Sequence, residues 1–253
     1  MRSLRSTLAA ALLGLFAVTA PALAQEAPLP NENWSFGGLF GGYDLAAAQR
    51  GFWVYYKVCS TCHTMNEMHY RDLAGIGITE AQIKAIAAGV TVPQGINDQG
   101  EQTTGPALPA DTFRAPFPND QAARAAMNGA LPPDLSLIVN AREGHANYVY
   151  GILTGFTDPP KGFDVPAGKY YNEQFPGHLI AMPPPLHDDG VTYADGTKAT
   201  VPQMAHDVVT FLAWAANPEL VQRKQIGVRV VLFLLLLTGL TYAGKRKVWA
   251  DVH

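Results

Sequence analysis

Two cysteines and a histidine stand together near residue 60, in the order Cys59-Ser60-Thr61-Cys62-His63. A C-x-x-C-H pattern is typical of covalent haem attachment, in which both thiols add to the vinyl groups of the porphyrin. The imidazole of His63 then lies below the iron as its proximal ligand. The spacing is demanding, because one short segment must make three bonds to a rigid group. We therefore expect one covalently bound haem c, held by Cys59, Cys62 and His63.

Three other kinds of site also use a cysteine pair. A structural disulfide has no need of His63. A thioredoxin-like redox pair belongs in a βαβ unit, whereas the residues before Cys59 are spaced as a helix. A zinc site needs a second Cys/His pair at ligand spacing, and the chain has only these two cysteines. Haem attachment is the interpretation that uses all three residues.

Electron-carrying haems usually have a second axial ligand, and the sequence favours Met182 for it. This residue lies in Ala181-Met182-Pro183-Pro184-Pro185-Leu186, where the prolines fix φ and remove backbone donors. Such a stiff segment can hold a thioether against iron, and Met/His ligation raises the reduction potential. The alternative is a loop methionine that fills a gap. Met127 is the next candidate. The disfavoured candidates are Met65, Met68, Met204, His69, His145, His178, His187 and His206.

The elements that must position these residues are mostly helical. Asp44 can cap a helix whose apolar residues recur at three- and four-residue steps and run into Cys59. Further helices are predicted over residues 79–88, 120–128 and 141–153. The apolar positions of the first helix are Leu45, Ala48, Phe52 and Tyr55.

The second half of the chain begins with a long loop. Residues 158–198 contain seven prolines and five glycines, which predicts ordered loop. Thr200 then begins a helix, Gln203 completes a capping box with it, and Pro218 stops it. No internal repeat and no strand alternation is evident. The apolar stripe of this last helix consists of Met204, Val208, Phe211, Leu212 and Ala215.

The N-terminal 24 residues have the features of a secretory signal. Arg2 and Arg5 form a basic n-region, residues 7–18 are apolar but too short to span a bilayer, and Ala22-Leu23-Ala24 is a small-x-small cleavage site. We therefore expect an exported mature chain that begins at Gln25.

Residues 226–243 form an apolar run with one charge, Arg229. As a helix they would extend about 27 Å, close to a hydrocarbon core of about 30 Å. Three basic residues follow at 245–247, and basic residues stay on the cytoplasmic side. We expect a single-pass inner-membrane protein, with residues 25–225 periplasmic, 226–243 in the membrane and 244–253 as a cytoplasmic tail. A buried core helix is the alternative, and it leaves the basic run without a role.

Composition limits the remaining function classes. The 253 residues are 48% hydrophobic and only 15% charged, which excludes ordinary disorder. Two cysteines exclude a disulfide-stapled miniprotein, and a net charge of −3 argues against a nucleic-acid binder. Residues 25–225 hold 12 basic and 20 acidic side chains, a net charge of −8. This acidity either aids solubility or attracts a basic partner.

A set of motifs, in order along almost the whole mature chain, resembles the cytochrome c1 family. This resemblance is far more specific than C-x-x-C-H alone. Position 127 departs from it, because related motifs often carry Asn there. The motifs are Arg50-Gly51-Phe52, Val58 with the C-x-x-C-H segment, residues 128–136, Ala141-Arg142, Tyr148, Phe175-Pro176-Gly177, Asp195-Gly196-Thr197, Ala199-Thr200, Asp207-Val208, Trp214-Ala215-Ala216, Pro218-Glu219 and Arg223-Lys224.

The resemblance implies a mostly α, cytochrome c-like haem domain with long loops plus one C-terminal transmembrane helix. It implies an electron-carrying subunit of quinol–cytochrome c oxidoreductase, in a dimeric complex with cytochrome b and the Rieske iron–sulfur protein. Such a subunit passes one electron to a soluble or membrane-bound cytochrome c and makes or breaks no substrate bond itself. By motif, Met182 is the sixth ligand, and Arg142 and Tyr148 contact the haem or its propionates.

Two other functions remain open on the sequence. One is another membrane-anchored electron-transfer cytochrome, such as an oxidase subunit. The other is a haem enzyme or gas sensor with an open distal site. Carbon monoxide separates the last from the rest, because a six-coordinate Met/His iron resists binding it.

Overall fold

The computed structural model describes residues 27–252, so the predicted signal over residues 1–24 lies outside the described residues. The described chain is mostly α, as predicted, with long loops and two small antiparallel sheets. The α-helices are α1 (Leu45–Lys57), α2 (Glu80–Ala88), α3 (Asp120–Ala126), α4 (His145–Thr154), α5 (Val201–Ala216) and α6 (Leu220–Val248). The 3-10 helices are Cys59–Thr61 and Tyr70–Ile76, and the strands are β1 (Thr91–Ile96), β2 (Gln102–Pro106), β3 (Tyr170–Tyr171) and β4 (Leu179–Ile180).

Helices α1 and α5 cross each other at the centre of the domain and bury its core between them. Gly51 lies at the crossing. A Cβ there would overlap the backbone carbonyl oxygen of Asp207 and press on Cβ of Phe211. Glycine is therefore required for the two helices to approach this closely. The largest side chains buried around the crossing are Tyr55, Phe52, Phe211, Met65, Leu73, Ile76 and Met204.

A buried ion pair fixes the angle between these two helices. Arg50 on α1 donates to both carboxylate oxygens of Asp207 on α5, each at 2.9 Å, and Asp207 is fully buried. The same guanidinium donates to Asp195 in the preceding loop at 2.9 Å. Because a guanidinium fork matches a carboxylate in one orientation only, the pair specifies register as well as contact.

Two predicted helix boundaries and one predicted capping box need correction, and the two boundaries have the same cause. Helix α3 ends at Ala126, before Asn128 and Gly129 adopt positive φ of 50° and 87°. Helix α4 begins at His145 rather than at 141, because Gly144 has a φ of 80°. At α5, the Thr200 hydroxyl accepts from the backbone of Gln203 as predicted, but the reciprocal bond is absent. The Gln203 side chain donates instead to Asp207 at 3.1 Å.

The β1–β2 hairpin is the larger of two small sheets that the sequence failed to predict. Its residues are nearly all exposed, so no apolar–polar alternation marks it. Proline at 93 and glycine at 95 also disfavour a strand, and the register shifts between them. Asn97 closes the turn by accepting from the backbone of Gln99 and Glu101.

Helix α6 extends beyond the predicted membrane segment at both ends. Its 29 residues extend about 43 Å. It carries the one apolar run among the described residues that is long enough to cross a membrane, and none of that run is buried against the rest of the chain. The apolar side chains therefore face whatever surrounds the helix, which fits a membrane anchor.

Candidate haem-attachment site

The turn that carries the two cysteines continues directly from the core helix α1. Ser60 and Thr61, the two residues between the cysteines, donate their hydroxyls to the carbonyls of Tyr56 and Val58 at 2.8 and 2.7 Å. These bonds satisfy carbonyls that the helix end leaves without partners. The backbone N–H of His63 then donates to the carbonyl of Cys59 at 2.9 Å. Cys59, Cys62 and His63 are thus brought together on one tight turn.

Both thiols are free and partly exposed, so no disulfide occupies the pair. Burial raises the pKa of the Cys59 thiol to about 12, so this sulfur is neutral at physiological pH. A cleft of about 680 Å³ opens beside Cys62 and is lined by Leu131, Pro132 and Pro133. Two unpaired thiols, with Cys62 beside open space, fit a group that attaches through thioether bonds.

The imidazole of His63 is oriented by a backbone carbonyl. Its Nδ1 lies 2.8 Å from the carbonyl oxygen of Pro133, so Nδ1 is the protonated nitrogen and Nε2 keeps its lone pair. Burial lowers the pKa of His63, outweighing the hydrogen bond that the ring donates to Pro133 and the charge of Asp134. A neutral imidazole with a fixed tautomer is the form that binds a metal. The donor set therefore fits haem iron on this side.

Asp134 holds the segment after His63 against the segment that carries Pro133. Its carboxylate accepts from the Thr64 hydroxyl at 2.7 Å and from the backbone of Asn66 and Ser136 at 2.9 and 2.8 Å. Burial alone would raise the pKa of Asp134, but these hydrogen bonds outweigh it and hold the pKa below its usual range. An ionised Asp134 thus keeps the Pro133 carbonyl in place.

The other uses of a cysteine pair find no support in the described residues. No group of three or more His, Cys, Asp or Glu side chains there could hold a metal ion, which argues against a zinc site. Both described sheets are two-stranded and antiparallel, which excludes the βαβ setting of a thioredoxin-like pair. The turn around Cys59 follows a helix, as predicted.

Met182 lies on a separate loop, two residues after strand β4. That strand is anchored by buried Ile180, and buried Leu186 anchors the chain after the three prolines. Between these anchors Met182 is half-buried. The segment is held in place by packing on either side and by proline stiffness, with little backbone hydrogen bonding of its own.

The structure separates the other methionines by their surroundings. Met65, Met68 and Met204 are buried in the hydrophobic core, as expected for packing residues. Met127 is half-buried at the end of α3. Of the histidines, His145 and His178 are bound to backbone carbonyls through Nδ1, and His206 stacks on Trp34 at 4.9 Å.

Arg142 and Tyr148 come from the segment around the start of α4. The Arg142 side chain is exposed and donates to the carbonyl of Ala141 at 3.1 Å. No ion pair within residues 27–252 involves Arg142. Tyr148 is half-buried within α4. A cation that pairs with no acidic side chain within residues 27–252 suits an anionic group of a ligand.

Three positioning residues were not predicted as such from the sequence. Pro133 and Asp134 were recognised only as part of a motif, although Asp-x-Ser is a pattern in which Asp accepts from the backbone two residues on. Asn172 is fully buried, donates to the carbonyl of Ile152 at 2.8 Å and accepts from the backbone of Gln174 at 3.0 Å. It ties the hairpin before Met182 to α4, and no local pattern marks it.

Comparison with known proteins decides the family. The family model described as the Cytochrome C1 family matches residues 34–252. The chain belongs to the cytochrome c1 family. It is 48% identical over 240 residues to the cytochrome c1 of Rhodospirillum rubrum, with 88% of each chain covered. It is 43% identical over 224 residues to a protein named cytochrome c1, heme protein, mitochondrial, from Saccharomyces cerevisiae, covering 88% of this chain and 72% of that one.

A third relative has a different size. The chain is 46% identical over 246 residues to a Bradyrhizobium diazoefficiens protein named cytochrome b/c1, covering 88% of this chain but 36% of that one. Membership of the cytochrome c1 family makes the chain an electron-carrying subunit of the cytochrome bc1 complex with one covalent c-type haem. The C-x-x-C-H turn is where that haem fits, and α6 fits its membrane anchoring.

Proposed function

We propose that this cytochrome c1 family member holds its haem through Cys59 and Cys62, with His63 and Met182 as the axial ligands. The proposal depends chiefly on the orientation of the His63 imidazole, which follows two free thiols in the chain. Its Nδ1 lies 2.8 Å from the carbonyl oxygen of Pro133. That bond leaves Nε2 to face an iron. The motif match to the family supports Met182 for the opposite side.

Each protein group has a distinct task in this proposal. Pro133 fixes the tautomer and the plane of the His63 ring, and its carbonyl increases the basicity of Nε2. Met182 offers a soft, neutral thioether, which favours ferrous iron and raises the potential. Arg142 and Tyr148 bind the propionates. When bound, the haem supplies a one-electron ferrous–ferric couple.

The proposed partners follow from membership of the family. The chain works beside cytochrome b, accepts one electron from the Rieske iron–sulfur protein and passes it to a cytochrome c, within a dimeric complex. The net charge of −8 over residues 25–225 supports a basic, soluble acceptor, because opposite charges steer encounter over a distance.

The proposed location is the bacterial inner membrane. Residues 1–24 are removed as a signal, residues 25–225 lie in the periplasm, 226–243 cross the membrane and 244–253 are cytoplasmic. The basic run at 245–247 supports this orientation through the positive-inside rule.

Purification of the tagged full chain from its own membrane tests the assignment to the complex. We expect cytochrome b and a Rieske protein to co-purify, and the quinol-reduced complex to reduce a basic cytochrome c. Co-purification with a terminal oxidase instead would replace the proposal with the oxidase-subunit alternative. Retention of the protein by membranes after alkaline washing tests the anchor separately.

The salt dependence of the reaction tests the acceptor. The Debye length falls from about 30 Å at 0.01 M salt to about 10 Å at 0.1 M. The association rate with a basic cytochrome c should therefore drop steeply over this range, measured by stopped flow, whereas an acidic cytochrome c should show the opposite trend. A rate that does not change with salt would mean that the acidity serves solubility alone.

A further inference from the structure

Two large apolar side chains are exposed at the tip of a loop that precedes α1. Residues 37–42 have the sequence Gly-Gly-Leu-Phe-Gly-Gly, and we name them the Leu-Phe loop. Leu39 is 61% exposed and Phe40 is 85% exposed, the latter the most exposed large apolar side chain among the described residues. The loop contains no charge and no polar side chain, which is unusual for a loop in water.

The two ends of the Leu-Phe loop are held together by a side chain of α6. Lys224, in the second turn of α6, donates its Nζ to the carbonyls of Phe36 and Gly41 at 2.7 and 3.2 Å. Gly41 approaches Gly37 so closely that a Cβ would overlap the carbonyl oxygen of Gly37. The loop is therefore fixed to the start of α6 by its backbone, with its tip free.

The residues on either side of the loop are anchored to the haem domain. Phe36 stacks on Trp34 with ring centroids 5.4 Å apart, and Trp34 stacks in turn on His206 of α5. The Tyr43 hydroxyl donates to the carbonyl of Ala213 at 3.0 Å, at the end of α5. The loop therefore projects from the domain on fixed ends, because Phe36 and Tyr43 are held by the haem domain and Gly41 is held by Lys224.

The position of the loop relates it to the membrane. The apolar run of α6 begins at Ile226, two residues beyond Lys224, which is about 3 Å along a helix axis. The carbonyls of Phe36 and Gly41 are therefore held close to the layer in which α6 would enter the hydrocarbon. In this layer apolar side chains are buried in lipid while backbone groups still reach water and headgroups, which suits a glycine-rich loop with an apolar tip.

We propose that the Leu-Phe loop is a second membrane contact, in which Leu39 and Phe40 insert into the headgroup–acyl boundary beside α6. A single helix leaves the domain free to tilt and to turn about the helix axis. A second contact, fixed to the haem domain through Phe36 and Tyr43, sets the tilt of that domain relative to the membrane plane. The inference depends on α6 being in the membrane and not on the ligands of the iron or on the electron acceptor.

Spin labelling of the full, haem-loaded chain tests this contact. Haem attachment consumes both native thiols, so an introduced cysteine is the one available for a nitroxide label. The variants are Phe40→Cys, with Ile96→Cys on the exposed β1–β2 hairpin as the aqueous control and Leu235→Cys on α6 as the lipid control. Each is reconstituted in vesicles of phosphatidylethanolamine and phosphatidylglycerol, and the accessibility of the label to oxygen and to a water-soluble nickel chelate is compared by EPR.

We expect the oxygen-to-chelate ratio at Phe40→Cys to lie close to that at Leu235→Cys and well above that at Ile96→Cys. A ratio equal to that at Ile96→Cys, with Leu235→Cys in lipid, would overturn the proposal and leave the anchor intact. The same labels are then measured in the assembled complex. Loss of access to both reagents at Phe40→Cys would show that a neighbouring subunit covers the loop, and this outcome also overturns the lipid contact.

Discussion

The two sides of the proposed haem site are built in different ways. The proximal side, with Cys59, Cys62 and His63, continues from a core helix and is held by the Pro133 carbonyl and the Asp134 carboxylate. The proposed distal ligand, Met182, lies on a long loop whose regular structure consists of a hairpin of two residues per strand. This segment is not itself helical. It is held by its prolines, by buried residues on either side and by the side chain of Asn172.

This difference affects how firmly the side chains on each side are held in position. The proximal residues share one turn, and several hydrogen bonds hold that turn in place. Loss of one hydrogen bond therefore leaves the others to hold it. The distal thioether depends on a few anchors distant in sequence, so a single change can move it. We therefore expect the proximal side to control whether haem is present, and the distal side to control its potential.

The largest effect should come from removing both attachment points. In Cys59→Ser/Cys62→Ser we expect complete loss of covalent haem, because no thioether can form. Acid denaturation followed by a haem-stained gel measures it directly. Met182→Leu serves as the control and should keep its covalent haem in full. Haem that remains on the serine variant through denaturation would contradict the attachment site.

Met182→Leu should change the iron while leaving attachment intact. Volume-conserving apolar swaps usually cost under about 1.5 kcal/mol, so the fold should survive. The sulfur-to-iron charge-transfer band should vanish, carbon monoxide should bind, and the potential should fall. Each 59 mV is about a factor of ten in a one-electron equilibrium, so a fall of a few such steps would strand the electron on a Rieske centre, whose potential lies in the range of about −150 to +300 mV.

Met127→Leu is the matched control for this prediction. It should keep the wild-type potential and remain closed to carbon monoxide. If the two variants exchange their behaviour, Met127 is the sixth ligand and the contrast between the two sides fails.

Arg50→Met should test how strongly the helix crossing supports the proximal side. It leaves the fully buried Asp207 carboxylate without its cation, and breaking a buried pair in this way costs about 3–5 kcal/mol. Urea unfolding of the haem-loaded chain measures the loss. Lys84→Met removes the exposed Glu80–Lys84 pair instead and should cost less than about 1 kcal/mol. Equal costs would show that the crossing does not depend on the ion pair.

Asn172→Ala should reveal the weakness of the distal side. It leaves the Ile152 carbonyl and the Gln174 N–H without partners, at a cost of about 1–3 kcal/mol. We expect a fraction of the iron to bind carbon monoxide, because the hairpin before Met182 loosens. Asn140→Ala, at an exposed amide that also bonds to the backbone, should leave carbon monoxide excluded. A carbon monoxide spectrum of the reduced protein separates the two.

The smallest effect should be a change in the acid sensitivity of the proximal side. The folded pKa of Asp134 lies below its usual value of about 3.9, so folding favours the ionised carboxylate. The stability that this carboxylate contributes is therefore present above that pH and is lost as the pH falls through the folded pKa. Urea midpoints of the wild type and Asp134→Asn should differ near neutral pH and converge in acid. A constant difference across that range would exclude this role.

The sequence predicted the proximal side better than the distal side, for physical reasons. Helix α1 was predicted from the Asp44 cap and from an apolar period that ends at Cys59. Both signals come from residues that are close together in the sequence. The same holds for α2, predicted over residues 79–88 and found as Glu80–Ala88. Local patterns of this kind can be read without knowledge of the fold.

What escaped prediction depends on contacts between distant segments. The side chain of Gln203 donates to Asp207 instead of closing a capping box with Thr200. Asp207 lies at the α1–α5 crossing, and no local pattern in the sequence predicts that crossing. Asn172 is important because Ile152 lies beside it in the fold, twenty residues away in the chain. Met182 was singled out by its prolines, yet its assignment as a ligand remains a prediction that Met182→Leu addresses.

The helix crossing also has a consequence for the timing of maturation. Arg50 and Asp207 are 157 positions apart, and at a synthesis rate of about 5–20 residues per second the second helix follows the first by on the order of ten seconds or more. The proposed export, from the N-terminal end, would therefore expose Cys59 and Cys62 long before α5 arrives. During that interval α1 alone, at 13 residues, is marginally stable in water. Haem attachment in that order would act on a pliable segment, before α5 has docked against α1.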